Sequence, residues 1–258
     1  MPIDNDVYDR IGDGWWDESN PLNILHGSLT PGRLAYFHTV MDANLAAGPD
    51  GLQVLDIGCG GGFLTEEFAR MGCRAVGVDP STVSIETARR HAAASRLDVE
   101  YRLGRGEDLP AQDSEFDLVL CCDVLEHVND VDRVLAETAR VLKPGGLYLF
   151  DTVNRTLRSK IVVIRAMQEW SFTRIVDVPF HDWLMFIRPH ELVAMLHRHG
   201  LAVGDIVGLA PRRNPAAALA AFVRARRGQI TYGELSRRLD IGQTRSTAIS
   251  YMGFATKA

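Results

Sequence analysis

Between Gly51 and Asp151 the chain alternates short apolar runs with stretches of helical periodicity. The runs fall at 52–57, 74–79, 99–103, 116–122 and 146–151, and the helical patterns at 62–71, 82–95 and 130–142. Nearly unbroken apolar strands separated by helices predict a parallel sheet covered on both faces. The third helical pattern runs into Leu142-Lys143-Pro144-Gly145-Gly146. There lysine suits the negative helix end, and proline with glycine stops the helix before the next strand. After Asp151 the pattern changes. Residues 155–187 are basic, aromatic and irregular, and then a helix near 189–199 and apolar runs at 201–209 and 247–256 resume the core. The division predicted is one α/β domain over 1–258. It has an N-terminal helical cap (1–50), a ligand-binding core (51–151), a lid or substrate insertion (155–187) and a C-terminal part of the sheet (188–258). The insertion is expected over the carboxyl edge of the sheet, where such folds bind ligands.

Two strand ends carry the first chemistry. Val54-Leu55-Asp56-Ile57-Gly58-Cys59-Gly60-Gly61-Gly62 is an apolar strand that passes an acidic residue and enters a glycine turn. Val76-Gly77-Val78-Asp79 ends the next apolar run on a second carboxylate, followed by Pro80. Glycines let the backbone approach a ligand closely, and a strand-end carboxylate can accept two hydrogen bonds from a ribose diol. The spacing Gly58-x-Gly60-x-Gly62 departs from the Gly-x-Gly-x-x-Gly of dinucleotide sites. It resembles motif I of class I S-adenosylmethionine-dependent methyltransferases.

Composition narrows the field further. At 258 residues the chain can bury a full core. It is 46% hydrophobic and 24% charged, as ordinary globular proteins are. A net charge of −5 argues against nucleic acid as the main partner. No secretory signal is visible in Met1–Arg10, and the longest apolar stretches are too short to span a bilayer. Cys59, Cys73, Cys121 and Cys122 lack zinc-site spacing and read as reduced core thiols of a cytoplasmic protein. Against the acidic whole, 211–246 holds Arg212, Arg213, Arg224, Arg226, Arg227, Arg237, Arg238 and Arg245. That excursion reads either as a solvated helical stretch or as a contact for an anionic surface.

Further motifs run the length of the chain. Trp15-Trp16-Asp17, Pro21-Leu22, Arg33 and Tyr36 come first. Asp123-Val124-Leu125-Glu126-His127-Val128, Thr152-Val153-Asn154-Arg155 and His181-Asp182-Trp183-Leu184-Met185-Phe186-Ile187-Arg188-Pro189 follow, and Ile249–Phe254 closes the series. With the glycine turn and Asp79, this order is similar to that of the ubiquinone-biosynthesis O-methyltransferases. The resemblance implies a Rossmann-like class I methyltransferase sheet of seven strands, mostly parallel with an antiparallel C-terminal strand. It implies S-adenosyl-L-methionine as cofactor and a small aromatic acceptor of catechol type, a polyprenylated quinone precursor among them. The stretch 204–244 is longer than its counterpart in that family. Where many methyltransferases place an adenine-binding Asp, Arg105 stands.

The cofactor residues expected on this basis are Asp56, Gly58, Cys59, Gly60, Gly62, Asp79, Pro80 and Cys122, with Gly106, Glu107 and Asp108 around the adenine. Arg33 is expected either to pair with the cofactor carboxylate or to lie on the surface of an N-terminal helix. Trp15, Trp16, Asn154, His181 and Trp183 are expected at the substrate or in the lid, the two tryptophans alternatively in the core. Asp123, Glu126 and His127 follow the fourth strand at spacing i, i+3 and i+4, which groups them if a helix begins there. A phenol ionises only near pH 10. Either His127 removes the proton, or Mg²⁺ or another divalent ion such as Mn²⁺, held by the three residues, lowers the acceptor's pKa. The bland alternative is helix capping. Rival functions are methyl transfer to a carboxylate, amine or carbon, and a non-catalytic adenosylmethionine-binding scaffold. Finally, Leu157, Ile161 and Ile164 at helical spacing, with Arg158, Lys160, Arg165, Trp170 and Phe172, read in two ways. They form either a helix closing the active site or a peripheral contact at the inner face of the membrane.

Overall fold

The computed structural model describes residues 4–45 and 48–258. The 1–50 cap therefore extends over Met1, Pro2, Ile3, Ala46 and Ala47, which lie outside the described residues. The cap contributes the short helix α1 (Val7–Ile11) and α2 (Thr30–Asn44). The core then alternates β1 (Gln53–Ile57), α3 (Phe63–Arg70), β2 (Arg74–Asp79), α4 (Thr82–Ala94), β3 (Val99–Leu103), β4 (Phe116–Cys121), α5 (Val131–Val141) and β5 (Leu142–Val153). The insertion opens with α6 (Leu157–Ser159), which runs on as a π-helix over Lys160–Glu169. Next come α7 (Pro189–Arg198), β6 (Leu201–Pro211), α8 (Pro215–Arg226), α9 (Tyr232–Leu239), β7 (Ile241–Thr244) and β8 (Ser250–Lys257).

The strands form one sheet in the order β3-β2-β1-β4-β5-β8-β6-β7. β1 to β5 run parallel, and β8 inserts antiparallel between β5 and β6. Side chains of adjacent strand residues point to opposite faces. Val54, Leu118, Leu120 and Leu149 accordingly join the cluster under α2 and α3, while Leu55, Val119, Cys121 and Phe150 join the one under α5 and α7. The fold is thus the mixed, mostly parallel class I sheet that the pattern predicts. Its strand count is eight among the described residues, not seven. The added strand, Ile241–Thr244, pairs antiparallel with the end of β6 at the sheet edge, inside the stretch read as an irregular excursion.

The excursion itself is a pair of helices. Alanine-rich α8 and α9, whose Thr231 and Glu234 form a reciprocal capping box, join β6 to β7. Several of its arginines are paired: Arg212 with Asp240, Arg226 with Asp177 and Arg237 with Glu18. The pairs of Arg226 and Arg237 tie the helices to the insertion and the cap, while Arg224, Arg227, Arg238 and Arg245 stand exposed.

Candidate active site

The site is assembled at the carboxyl ends of β1, β2, β4 and β5, each of which terminates near a carboxylate. Asp79 ends β2 almost buried, its Oδ2 accepting the Gly60 N–H at 2.9 Å and its Oδ1 the Ser81 N–H at 2.8 Å. It thereby fixes the glycine turn from below. Burial pushes its pKa up to about 6 against the opposing pull of the two N–H groups. Asp56, buried on β1, accepts from Thr65 Oγ1 at 2.6 Å, and burial raises its pKa to about 7.

The cap closes over the glycine turn. Trp15 is buried, donates to Ser84 Oγ at 2.9 Å, and lies so near Gly60 that a Cβ there would come within 2.7 Å of the ring. Gly60 also has φ +51°, so a side chain at this position is excluded twice over. Trp16 donates to Gly61 O at 2.9 Å and stacks on His91 with 3.4 Å between ring centres.

Two cavities meet here. The first, of about 390 Å³, is lined by Gly58, Gly60, Asp79, Pro80, Gly106, Glu107, Cys122 and Trp15 among others. Its size and its glycine-and-carboxylate wall suit a nucleoside cofactor. The second, of about 180 Å³, has largely aliphatic walls with Glu126, His127 and His181 in them. Tyr8, Leu25, Asp123 and His127 line both.

The structure does not bring every expected cofactor residue to the first cavity. Cys59, Gly62 and Asp56 form the turn and its support, and Asp108 is exposed beyond it in a bridge to Arg105. Arg33 is buried between Asp151 and Asp123, hydrogen-bonded to both. A guanidinium that satisfies two carboxylates is neither a surface group nor in the wall facing the cofactor. Of the expected lid residues, Asn154 is held by Thr247 O and Trp183 by Thr156 O, and neither lines a cavity, whereas His181 lines the second.

Asp123, Glu126 and His127 also depart from expectation. No helix begins at 123, since α5 starts at Val131 with Asp130 as its cap. Residues 124–127 form a turn closed by His127 N–H on Val124 O at 2.8 Å, so helix capping is not their role. Asp123 stands at φ +54°, a left-handed conformation that aspartate tolerates. Its own N–H donates to Asp151 at 3.0 Å. With Arg33 as partner, Asp123 leaves the trio. The residues that converge are Glu126, His127 and His181, whose ligand-type atoms lie within 4.8 Å of one another. Glu126 is fully buried, with Oε2 accepting from Thr152 at 2.7 Å and Oε1 free. His127 Nδ1 and His181 Nδ1 are likewise out of solvent and without partners. Burial, then the Asp123 charge, raises the Glu126 pKa. Burial lowers His127 to about 4, against the pull of Asp123, and puts His181 well below the usual range. Both imidazoles are therefore neutral at pH 7, with lone pairs available.

Three residues of the site were missed. Asp151 could have been found, because it ends its apolar run as Asp56 and Asp79 end theirs. Thr152 and Tyr8 carry no comparable signal. Tyr8 packs edge-on to His127, with ring centres 6.0 Å apart, through a contact between chain segments far apart in sequence.

A Rossmann-like sheet with a glycine turn, a ribose-type carboxylate and a separate apolar cavity beyond them defines an S-adenosylmethionine-dependent methyltransferase. A methyltransferase-domain family model matches residues 55–150. The chain belongs to the ubiquinone biosynthesis O-methyltransferase family. It is 38% identical over 237 residues to the member from Brucella anthropi, covering 90% of this chain and 93% of that one. It is 39% identical over 205 residues to the member from Neisseria meningitidis, covering 78% and 82%. Among solved structures, geranyl diphosphate C-methyltransferase from Streptomyces coelicolor superposes with a TM-score of 0.60 over 87% of this chain and 79% of its own. At 22% identity that likeness speaks for the fold.

The raised Asp79 pKa has a measurable consequence. Only the carboxylate form accepts from both hydroxyls of a ribose. S-adenosylhomocysteine affinity is therefore expected to hold above pH 7 and to fall as pH drops through about 6. Asp79→Asn is expected to lose roughly tenfold in affinity at pH 7.5 and most of the pH dependence. Calorimetry across pH checks both, and an unchanged profile in a folded variant would place the ribose elsewhere.

Proposed function

We propose that the enzyme transfers the cofactor's methyl group to a phenolic oxygen of a catechol-type ring that carries an apolar substituent. The observation behind this reading is the meeting of the two cavities at Asp123 and His127, with Glu126 and His181 in the wall of the apolar one. Its largely aliphatic lining, with Asp123 and Glu126 as the acidic groups in it, favours an uncharged ring over a free carboxylate, whose desolvation it could not offset. His127 Nδ1 and Glu126 Oε1 are the unpartnered acceptors available for the hydroxyl proton. Once that proton has moved to one of them, the phenolate oxygen attacks the methyl carbon. The methyl–sulfur bond breaks, and neutral S-adenosylhomocysteine leaves. Burial works in opposite directions on the two: the raised pKa makes the ionised Glu126 carboxylate a stronger base than an exposed glutamate, whereas the lowered pKa makes the His127 imidazole a weaker one.

The three orphaned atoms of Glu126, His127 and His181 also fit a divalent cation, and two nitrogens with one oxygen suit Mn²⁺ or a softer ion better than Mg²⁺. Such an ion would lower the pKa of the bound hydroxyl and fix the orientation of both catechol oxygens. Turnover with a catechol series tests the reading. A methyl ether on one ring oxygen, identified by mass spectrometry, is the expected product, and methylation of amines but of no phenol would overturn it.

The insertion supports a second partner, an anionic membrane surface. Val163 and Ile164 are buried against Val153 and Phe186, so that side closes the site. Leu157, Ile161, Phe172 and Leu184 are exposed on it, beside Arg158 and Lys160. Among the described residues no helix is long and apolar enough to cross a membrane. Cosedimentation with phosphatidylglycerol vesicles is expected in low salt and is expected to be lost in Leu157→Glu/Ile161→Glu. Equal sedimentation of that variant would leave the insertion only its inward role.

A further inference from the structure

The two cavities share a boundary formed by Tyr8, Leu25, Asp123 and His127. A methyl group has to pass from one cavity to the other, so the sulfonium that carries it must face this boundary. Asp123 is the carboxylate of the four, and its charge is in surplus. Arg33 sets one guanidinium against the carboxylates of both Asp151 and Asp123, which leaves one negative charge over. Asp151 is buried and both its oxygens are taken. Arg33 holds Oδ2, while Oδ1 accepts from Arg33 at 3.1 Å and from the Asp123 N–H at 3.0 Å. On Asp123, Arg33 engages Oδ2, and the side chain stays 28% exposed where it lines the cavities. The surplus therefore sits at the boundary. Its neighbours there suit a cation too. Burial keeps the His127 imidazole neutral, so it adds no repulsion. Tyr8, stacked parallel to Trp15 with ring centres 6.2 Å apart, supplies an aromatic ring, whose face attracts positive charge.

We propose that Asp123 recognises the sulfonium charge of the methyl donor and so distinguishes S-adenosylmethionine from its neutral product. The inference rests on the methyl donor alone, so it stands or falls apart from the phenolic reading. Before transfer the carboxylate and the sulfonium attract each other at a partly buried site, where screening is weaker than in bulk water. When the methyl–sulfur bond breaks, its electron pair stays on sulfur and the positive charge is gone. S-adenosylhomocysteine keeps its ribose and adenine contacts but loses this attraction, which favours its exchange for fresh donor. An attraction made in the ground state and lost with the charge serves donor affinity, not the chemical step.

The test measures binding to the full-length enzyme by calorimetry, with no acceptor present. The ligands are S-adenosylmethionine, S-adenosylhomocysteine and sinefungin, which carries an ammonium in place of the methyl sulfonium. Asp123→Asn removes the charge, and asparagine accepts the φ of +54° found there. It leaves Arg33 and Asp151 as a balanced pair, so the fold is expected to persist. The variant is expected to lose roughly tenfold in affinity for both charged ligands and less than about twofold for S-adenosylhomocysteine. KM for the donor is expected to rise in step, with the product becoming the relatively stronger inhibitor. Asp123→Glu keeps the charge and is expected to keep most of the preference. Asp6→Asn takes a carboxylate from the wall of the first cavity but not from the boundary, and is expected to leave the preference unchanged. The same selective loss there would assign the discrimination to the acidity of the whole wall and overturn the role of Asp123. Equal weakening of all three ligands in Asp123→Asn, or of none, overturns it as well. Should that variant bind nothing, Asp123→Gly, tolerated at positive φ, is expected to show the selective loss. Loss of all binding in both would make Asp123 a structural anchor and end the proposal.

Discussion

Arg33→Met is expected to cost about 3–5 kcal/mol of folding stability at pH 8, because it leaves Asp151 buried and uncompensated. Asp151 is 1% exposed and Arg33 3%, so neither charge can turn to water for a new partner. Arg33 meets Asp151 through two nitrogens and also holds Asp123, so one substitution undoes both contacts. Burial already raises the Asp151 pKa, with Arg33 opposing that rise. Without the guanidinium it must rise further. A carboxyl whose folded pKa lies above its unfolded value favours the folded state at low pH, and loses that advantage as pH climbs. The deficit of the variant should therefore be largest in mild alkali and shrink toward pH 5. Urea denaturation at both pH values measures it. Arg33→Lys keeps the charge but not the two-pronged geometry, and is expected to fall between the parent and Arg33→Met. A loss under about 1 kcal/mol at pH 8 would mean that the pair is solvated in solution.

How much of this was legible in the chain depended on range. The core strands and helices rest on local periodicity, and they fall within a residue or two of their expected ends. β5 is the exception, because Leu142 pairs with Phe116 of β4 and regular pairing resumes at Leu147, so the Pro-Gly-Gly signal falls in a bulge within the strand and not between helix and strand. The alanine run of α8 and the capping box at Thr231 and Glu234 agree with the helical reading of the excursion, whereas the edge strand Ile241–Thr244 within it has no apolar run to mark it. What local pattern cannot supply is the partner. Whether Arg33 faces a ligand or two carboxylates depends on β4 and β5 arriving beside α2. His181 meets His127 only after the insertion folds back over the sheet edge, with ring centres 4.8 Å apart. The Glu126-His127 pair was readable, whereas its third member was separated from it by an irregular stretch with no periodicity to follow.

Glu126→Gln and His127→Ala are each expected to lower turnover of a catechol acceptor by roughly 10²–10⁴-fold, the usual weight of a positioned base. Glu126 lies outside the cofactor cavity, so affinity for S-adenosylhomocysteine is expected to change little in Glu126→Gln, whereas His127→Ala, at a residue lining both cavities, is expected to lose far less affinity than turnover. That contrast separates a chemical role from a general loss of structure. Two mechanisms make different further demands. If Glu126, His127 and His181 hold a divalent ion, chelator abolishes turnover, Mn²⁺ restores it, and His181→Ala is as damaging as the other two. If His127 works alone as base, chelator has no effect and His181→Ala is mild. The pH profile adds a constraint of its own. An exposed histidine would give a rise in rate centred near pH 6.5, but burial holds His127 at about 4. The imidazole then stays neutral from pH 5.5 upward, and no step tied to it is expected near 6.5. A clear titration at 6.5 that vanishes in His127→Ala would show the ring to be solvated during catalysis. Wild-type turnover in both Glu126→Gln and His127→Ala would move the chemistry away from this turn altogether. The ion mechanism requires all three residues of the cluster, whose ligand-type atoms lie within 4.8 Å of one another, whereas the lone-base mechanism requires only one of them, so His181→Ala together with the chelator decides between the two.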